Sequence, residues 1–128
     1  MMERAGNQKV GGIQMQAPVA AGELIKKTDM VALNEEGYLV KAVKTEGLRV
    51  VGIATDNADN RMGTDGAEAV SFTSGGFVFN QEGINPTDLM KTAYIKDAAT
   101  VTTSSVGPSA AGKIIEVDAT CATVLIQP

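Results

Sequence analysis

The chain has 128 residues, 44% of them hydrophobic but only 4% aromatic, and a formal net charge of −4. That length suits one domain with a modest core of Val, Ile, Leu, Ala and Met. Without a dense Lys/Arg footprint or aromatic platforms, a nucleic-acid partner is not expected, nor is an anionic membrane surface. With no histidine and one cysteine, the chain lacks the commonest general base and metal ligand, and a disulfide within it.

Taken from the start, "MMERAGNQKVGG" has no apolar run. No segment reaches the roughly 20 apolar residues of a membrane span, so neither a leader nor an anchor is expected. Residues 1–16 are polar, glycine-containing and aperiodic, and read as an arm flexible in the free protein; residues 17–128 read as a single β domain. Within it come "ELIKK", "MVAL", "GYLVKAV", "LRVVGIAT", "AEAVSFT", "GFVFN", "TAYIKD", "ATVTTS", "GKIIEV" and "ATVLIQ". About ten short, β-branched runs separated by Gly, Asn, Asp and Pro predict an all-β fold, a small β-barrel or β-sandwich-like domain.

Alternation assigns faces to several runs. Val51 and Ile53 are expected on one face, and Val70 and Phe72 on another with Ala69 and Ser71 opposite. Val124 and Ile126 are expected to pair with Ile115 and Val117 across a hairpin turning through "DATC". Helix is scarce, with at most one or two short ones. The best candidate is "NPTDLMK", where Asn85 can cap, Pro86 suits the first position and Asp88 lies near the positive end.

Several motifs invite chemistry. "GPSAAGKII" has the G-x-x-x-x-G-K spacing of a phosphate-binding loop from Gly107 to Lys113. Ile114, however, stands where a Mg²⁺-binding hydroxyl belongs, and β-branched residues follow instead of a helix. A turn leading into a strand is the better reading. "DNADNRMGTDGAE" invites calcium, but the EF-hand template fails in both registers. Coordination by Asp56, Asp59 and Asp65 outside that template stays open against a loop of ordinary Asx turns. Carboxylates such as Glu35, Glu36, Asp88, Asp97, Glu116 and Asp118 are plentiful, but nothing marks an acid/base pair. Lys41 lies inside a strand-like run, unlike a carrier lysine at a hairpin tip, and Cys121 reads as a small buried thiol. No catalytic, cofactor-binding or metal residue is assigned.

The order of the runs carries more than any one of them. "AAGELIKKTDMVALNEEGYLVKA" is followed by "GLRVVGIATDNADNRMGTDGAEAVSFTSGGFVFN", then "INPTDLMKTAYIKDAATVTTSS" and "AAGKIIEVD". Over residues 17–126 this resembles the head-decoration, or capsid cement, proteins of tailed bacteriophages. Two departures are Met90, where a Gly is common, and "TCAT" in place of an acidic turn.

The resemblance implies a structural protein with no enzymatic activity and no cofactor. Its partners would be the major capsid protein and itself, commonly as a homotrimer, on the exterior of an expanded virion assembled in the host cytoplasm. The arm "KVGGIQMQAP" is the expected capsid contact, adding a strand to a capsid edge with Val10, Ile13 and Met15 filling pockets. The alternative is a displayed ligand-binding or adhesive module, against which the scarcity of stacking aromatics counts; a small β-clip-type enzyme comes third.

Overall fold

A computed structural model describes residues 8–127. The described chain is all-β, thirteen strands with a single turn of 3-10 helix, as the composition predicts.

The strands form two units. In the first, β9 (Gly75–Glu82), β11 (Thr100–Thr102), β10 (Thr92–Asp97), β12 (Ala110–Val117) and β13 (Cys121–Ile126) pair in that order. β13 then pairs back onto β9, from Cys121–Asn80 to Ile126–Gly75, and closes the five into a barrel. Closure leaves no long open edge among them. β1 (Gln8–Val10) adds antiparallel to β9 outside this ring.

Alternation fills the barrel. Phe77 and Phe79, Ala93 and Ile95, and Ala122, Val124 and Ile126 all point inward with Val101, Ala111 and Ile114. Two of the three phenylalanines are spent here and the third, Phe72, lies in the second core. The aliphatic composition thus builds two small cores instead of one large one.

The second unit is a five-stranded sheet in the order β2 (Gln14–Pro18), β8 (Ala69–Thr73), β6 (Arg49–Ala54), β4 (Met30–Leu33), β5 (Leu39–Lys41). A parallel bridge between Val19 and Leu39 ties its two outer strands at one point. A ribbon of β3 (Leu24–Ile25) and β7 (Ala58–Asp59) contributes Ile25 and Ala58 to the same core. Val19, Val31, Leu39, Ala54, Val70 and Phe72 complete that core. Val70 and Phe72 share a face as predicted, with Ala69 exposed and Ser71 half-buried opposite.

β4 and β6 are buried on both faces and form the wall between the units. Met30 packs into the barrel core and Val31 into the second core; Ile53 and Ala54 divide the same way. The expectation that Val51 and Ile53 share a face is therefore corrected, since Val51 packs on the second core and Ile53 lies in the first. The cause is a bulge. Val31 is opposite Gly52 while Ala32 is opposite Val50, so one extra residue on β6 flips the side chains beyond it. Gly52 makes the bulge passable. Its φ is 154°, and a Cβ there would lie 2.0 Å from the Thr73 carbonyl oxygen.

The β12–β13 hairpin forms around 118–120, but its register is corrected too. Ile114 pairs with Val124 and Val117 with Ala122, because an irregularity between Ile114 and Glu116 shifts the ladder. Ile115 is left half-buried. Asp118 sets the turn, its carboxylate accepting the backbone N–H groups of Thr120 and Cys121 at 2.9 Å each.

The one helical turn, Pro86–Asp88, falls where Asn85 and Pro86 predict it. The Asp88 carboxylate accepts the Asn85 N–H at 2.8 Å, and this bond lowers its pKa below the usual carboxylate value. The chain leaves this turn through Met90, whose φ of 70° is one of two positive values outside glycine among the described residues.

Of the expected arm, residues 1–7 lie outside the described residues. From residue 8 the chain is strand instead of free arm: β1 pairs with β9, and β2 runs the length of β8. Met15 and Ala17 alternate inward along β2 and pack on the second core. Two inward residues are too short a period to stand out in sequence.

Gly52→Ala is expected to destabilise the fold by about 3 kcal/mol, combining overpacking with a left-handed backbone. Met90→Gly is expected to stabilise it by up to about 1 kcal/mol, because glycine adopts φ above zero without the Cβ penalty. Urea denaturation of the two variants beside the parent checks both signs.

Candidate functional site

The three residues expected to contact a partner fall differently. Val10 is in β1, and its side chain lies outside the described residues. Ile13 is 55% exposed, on a backbone held rigidly: its N–H donates to Ser74 Oγ at 2.8 Å, and the Ser74 N–H donates to its carbonyl at 3.0 Å. Gly12 precedes it because the chains touch here; a Cβ would sit 2.0 Å from the Ser74 carbonyl oxygen. Met15 packs against the protein's own second core, so it is not a free anchor for a foreign pocket. Of the two whose side chains are described, Ile13 is displayed and Met15 is not.

This segment is nevertheless an edge. β2 is a terminal strand of its sheet, and among the described residues its far side meets another strand only at the Val19–Leu39 bridge. Ile13 and Val19 bond inward to the β8 side. By antiparallel alternation, Gln14 and Gln16 direct their backbone N–H and C=O groups outward. "QMQAP" carries no charge, whereas edges are commonly protected by Lys or by inward charges. Pro18 removes the last outward donor. Beside Ile13 lies a shallow hollow of about 350 Å³ lined by Gly12, Ser74, Leu125 and Gln127.

The Asp-rich loop is built from its own contacts. Asp56 accepts the N–H of Asn57, and Asp65 accepts the N–H of Ala21 across the fold, each at 2.8 Å. Asp59 forms a two-pronged pair with Arg61 at 2.9 and 2.8 Å. That side-chain hydrogen bond, helped by the Arg61 backbone N–H, holds the Asp59 carboxyl down to about 2. The three carboxylates are thus turned to separate partners. Among the described residues no three His, Cys, Asp or Glu side chains group as a metal site.

Sequence reasoning missed the residue that organises this loop. Asn60 is buried, and its carboxamide N–H₂ donates to the carbonyls of Val19 and Ala20 at 3.1 Å and of Thr64 at 2.8 Å. It joins the end of β2 to the loop. In "DNADN" it looks like one turn former among four, and no local pattern separates the buried one.

The remaining candidates take structural places. The run after Gly107 is strand from Ala110, and Lys113 is exposed on it opposite Leu125. The Ile114 N–H, which a phosphate cradle would need free, donates to the Lys91 carbonyl. Lys41 lies within β5, 3.5 Å from Asp29. Asp97 accepts the Ala99 N–H, and Glu116 accepts the Thr123 hydroxyl. Cys121 is a buried free thiol, as predicted.

With the geometry described, comparison adds no relative: neither a scan against protein-family models nor a search of curated proteins finds a match to this chain.

Asn60→Ala is expected to cost about 2 kcal/mol by leaving buried carbonyls unpaired, with amide-exchange protection lost first at Ala20, Gly22 and Ala67. The Asp59 carboxyl should titrate by NMR near 2 in the folded protein, and Arg61→Ala should return it toward an ordinary carboxylate value. Because the folded value is depressed, the pair's stabilisation is present above the unfolded pKa of about 3.9. It is lost as pH falls through about 2.

Proposed function

We propose that this protein is a structural decoration, or cement, protein that binds the exterior of an expanded bacteriophage head and stiffens it. The observation that carries the reading is the ordered series of runs over residues 17–126 that resembles the head-decoration proteins. Met90 supports it from the backbone: at the position where a Gly is common in that family, the chain adopts φ of 70°.

In this reading the major capsid protein is the partner, the chain also associates with itself as a homotrimer, and no catalysis or cofactor is involved. The N-terminal segment is the contact, in a form changed from the arm the sequence suggests. Gln14 and Gln16 offer a main-chain ladder along an uncharged edge, and Ile13 stands beside it as the apolar anchor. A capsid segment would add to this edge as an extended strand, drawing affinity from backbone hydrogen bonds and register from the Ile13 side chain. Many copies on one shell then multiply a modest single-site affinity through effective concentration.

The test is occupancy of expanded shells lacking the protein. Ile13→Asp should fold as the parent does, since the side chain is outside both cores, and lose at least about tenfold in shell affinity. A truncation after Gly12 should remove β1 but keep Met15 in its core. Shells that take up no parent protein at all would overturn the reading.

A further inference from the structure

The five aromatic residues are unevenly placed. The three phenylalanines fill the two cores, whereas Tyr94 stands half-buried on the outside of the barrel. Ala93 and Ile95 point inward from β10, so Thr92 and Tyr94 share its outer face. Across the strands Tyr94 is opposite Thr102 of β11 and Ala110 of β12, both short. Lys96, the next outward residue along β10, is drawn to Glu82 by an ion pair. The positions around the ring thus hold short side chains or one engaged elsewhere, which leaves a face of the ring uncovered.

Tyr94 lines a hollow of about 520 Å³ with Thr92, Thr103, Ser105, Met90 and the Asp88–Lys91 pair. That volume falls within the roughly 300–1,000 Å³ of small-ligand sites. The side-chain hydroxyls of Thr92, Tyr94 and Ser105 have no hydrogen-bond partner among the described residues, and Thr103 reaches the Gly83 carbonyl only at 3.4 Å. Each hydroxyl can both donate and accept. The rim is fixed. Met90 donates its N–H to the Ile114 carbonyl at 2.7 Å, and the Ile114 N–H donates to the Lys91 carbonyl at 3.0 Å. Met90 itself, left-handed at φ 70° and 63% exposed, supplies an apolar edge. The floor is a strand of the closed barrel, and sites on strands hold their geometry better than sites on loops.

Chemistry selects the occupant. An apolar ligand would cover four hydroxyls without pairing them, which is costly. An anion would find one cation, Lys91, already 3.4 Å from the Asp88 carboxylate. An extended peptide needs an open sheet edge, and β10 is paired on both sides. A neutral sugar meets every feature. Its C–H face can lie on the Tyr94 ring, and its hydroxyls can exchange hydrogen bonds with Thr92, Thr103, Ser105 and the Asp88–Lys91 pair.

We infer that the outer face of β10 around Tyr94 is a binding site for neutral carbohydrate, with Tyr94 as the platform and Thr103 and Ser105 as the hydrogen-bonding wall. The site adds to the decoration reading without resting on it. The test titrates the full chain with maltose, cellobiose, lactose, mannobiose and chitobiose, followed by backbone amide chemical shifts. At least one should bind at millimolar concentration and shift the amides of Thr92, Tyr94, Thr103 and Ser105. Tyr94→Ala should weaken that binding at least about tenfold, and Tyr94→Phe, which keeps the ring, should weaken it less. Ser105→Ala should cost about two- to tenfold, and Ile13→Asp should change nothing.

No shift with any of the five disaccharides overturns the inference. So does binding that survives Tyr94→Ala, shifts confined to other parts of the fold, or uptake of sialyllactose in place of lactose and the other neutral sugars. Should Tyr94→Ala fail to fold, Ser105→Ala combined with Thr103→Val decides. Shell occupancy is read separately: its absence would end the decoration reading while this site stands or falls on the sugar titration.

Discussion

The wall made by β4 and β6 is the constraint on which the rest of the molecule depends. Met30 and Ile53 close one core, and Val31 and Ala54 line the other, so a pair of adjacent strands serves two interiors. With three phenylalanines and no tryptophan, neither core holds much aromatic surface, and each fully buried aliphatic or Phe side chain contributes only about 1.5–3 kcal/mol. Sharing a wall lets a 128-residue chain surround both cores. The bulge at Gly52 follows from this arrangement, because it sends Val51 to one interior and Ile53 to the other.

The same wall explains why the N-terminal segment is strand. Among the described residues the second sheet is tied between β2 and β5 only at Val19–Leu39, and β2 covers Phe72 and Val70 with Met15 and Ala17. Asn60 then fastens the end of β2 to the acidic loop through three carbonyls. Core, edge and loop are one mechanical unit, and a partner strand added to β2 would be braced by the second core beneath it. The proposed capsid contact belongs to the edge of the open sheet, apart from the closed barrel.

Much of this was legible in the chain. Strand positions followed from β-branched runs between turn formers, and "MVAL" is β4 residue for residue. Pro86 and Asn85 located the one helical turn among the described residues, and Ile114 with its β-branched successors spoke against a phosphate loop before any fold was known. Of the residues offered as a contact, Ile13 is exposed but Met15 is turned into the core, since a pairing between residues 15 and 72 leaves no trace in either local pattern.

By itself, then, the sequence determined the class of fold and the turn chemistry, because these depend on residue type and short-range spacing. Tertiary structure alone decided the registers at Gly52 and Ile114, the closure of β13 onto β9 and the burial of Asn60. Each of these joins residues far apart in the chain, and a one-residue bulge reverses a face without changing the composition from which the face was read.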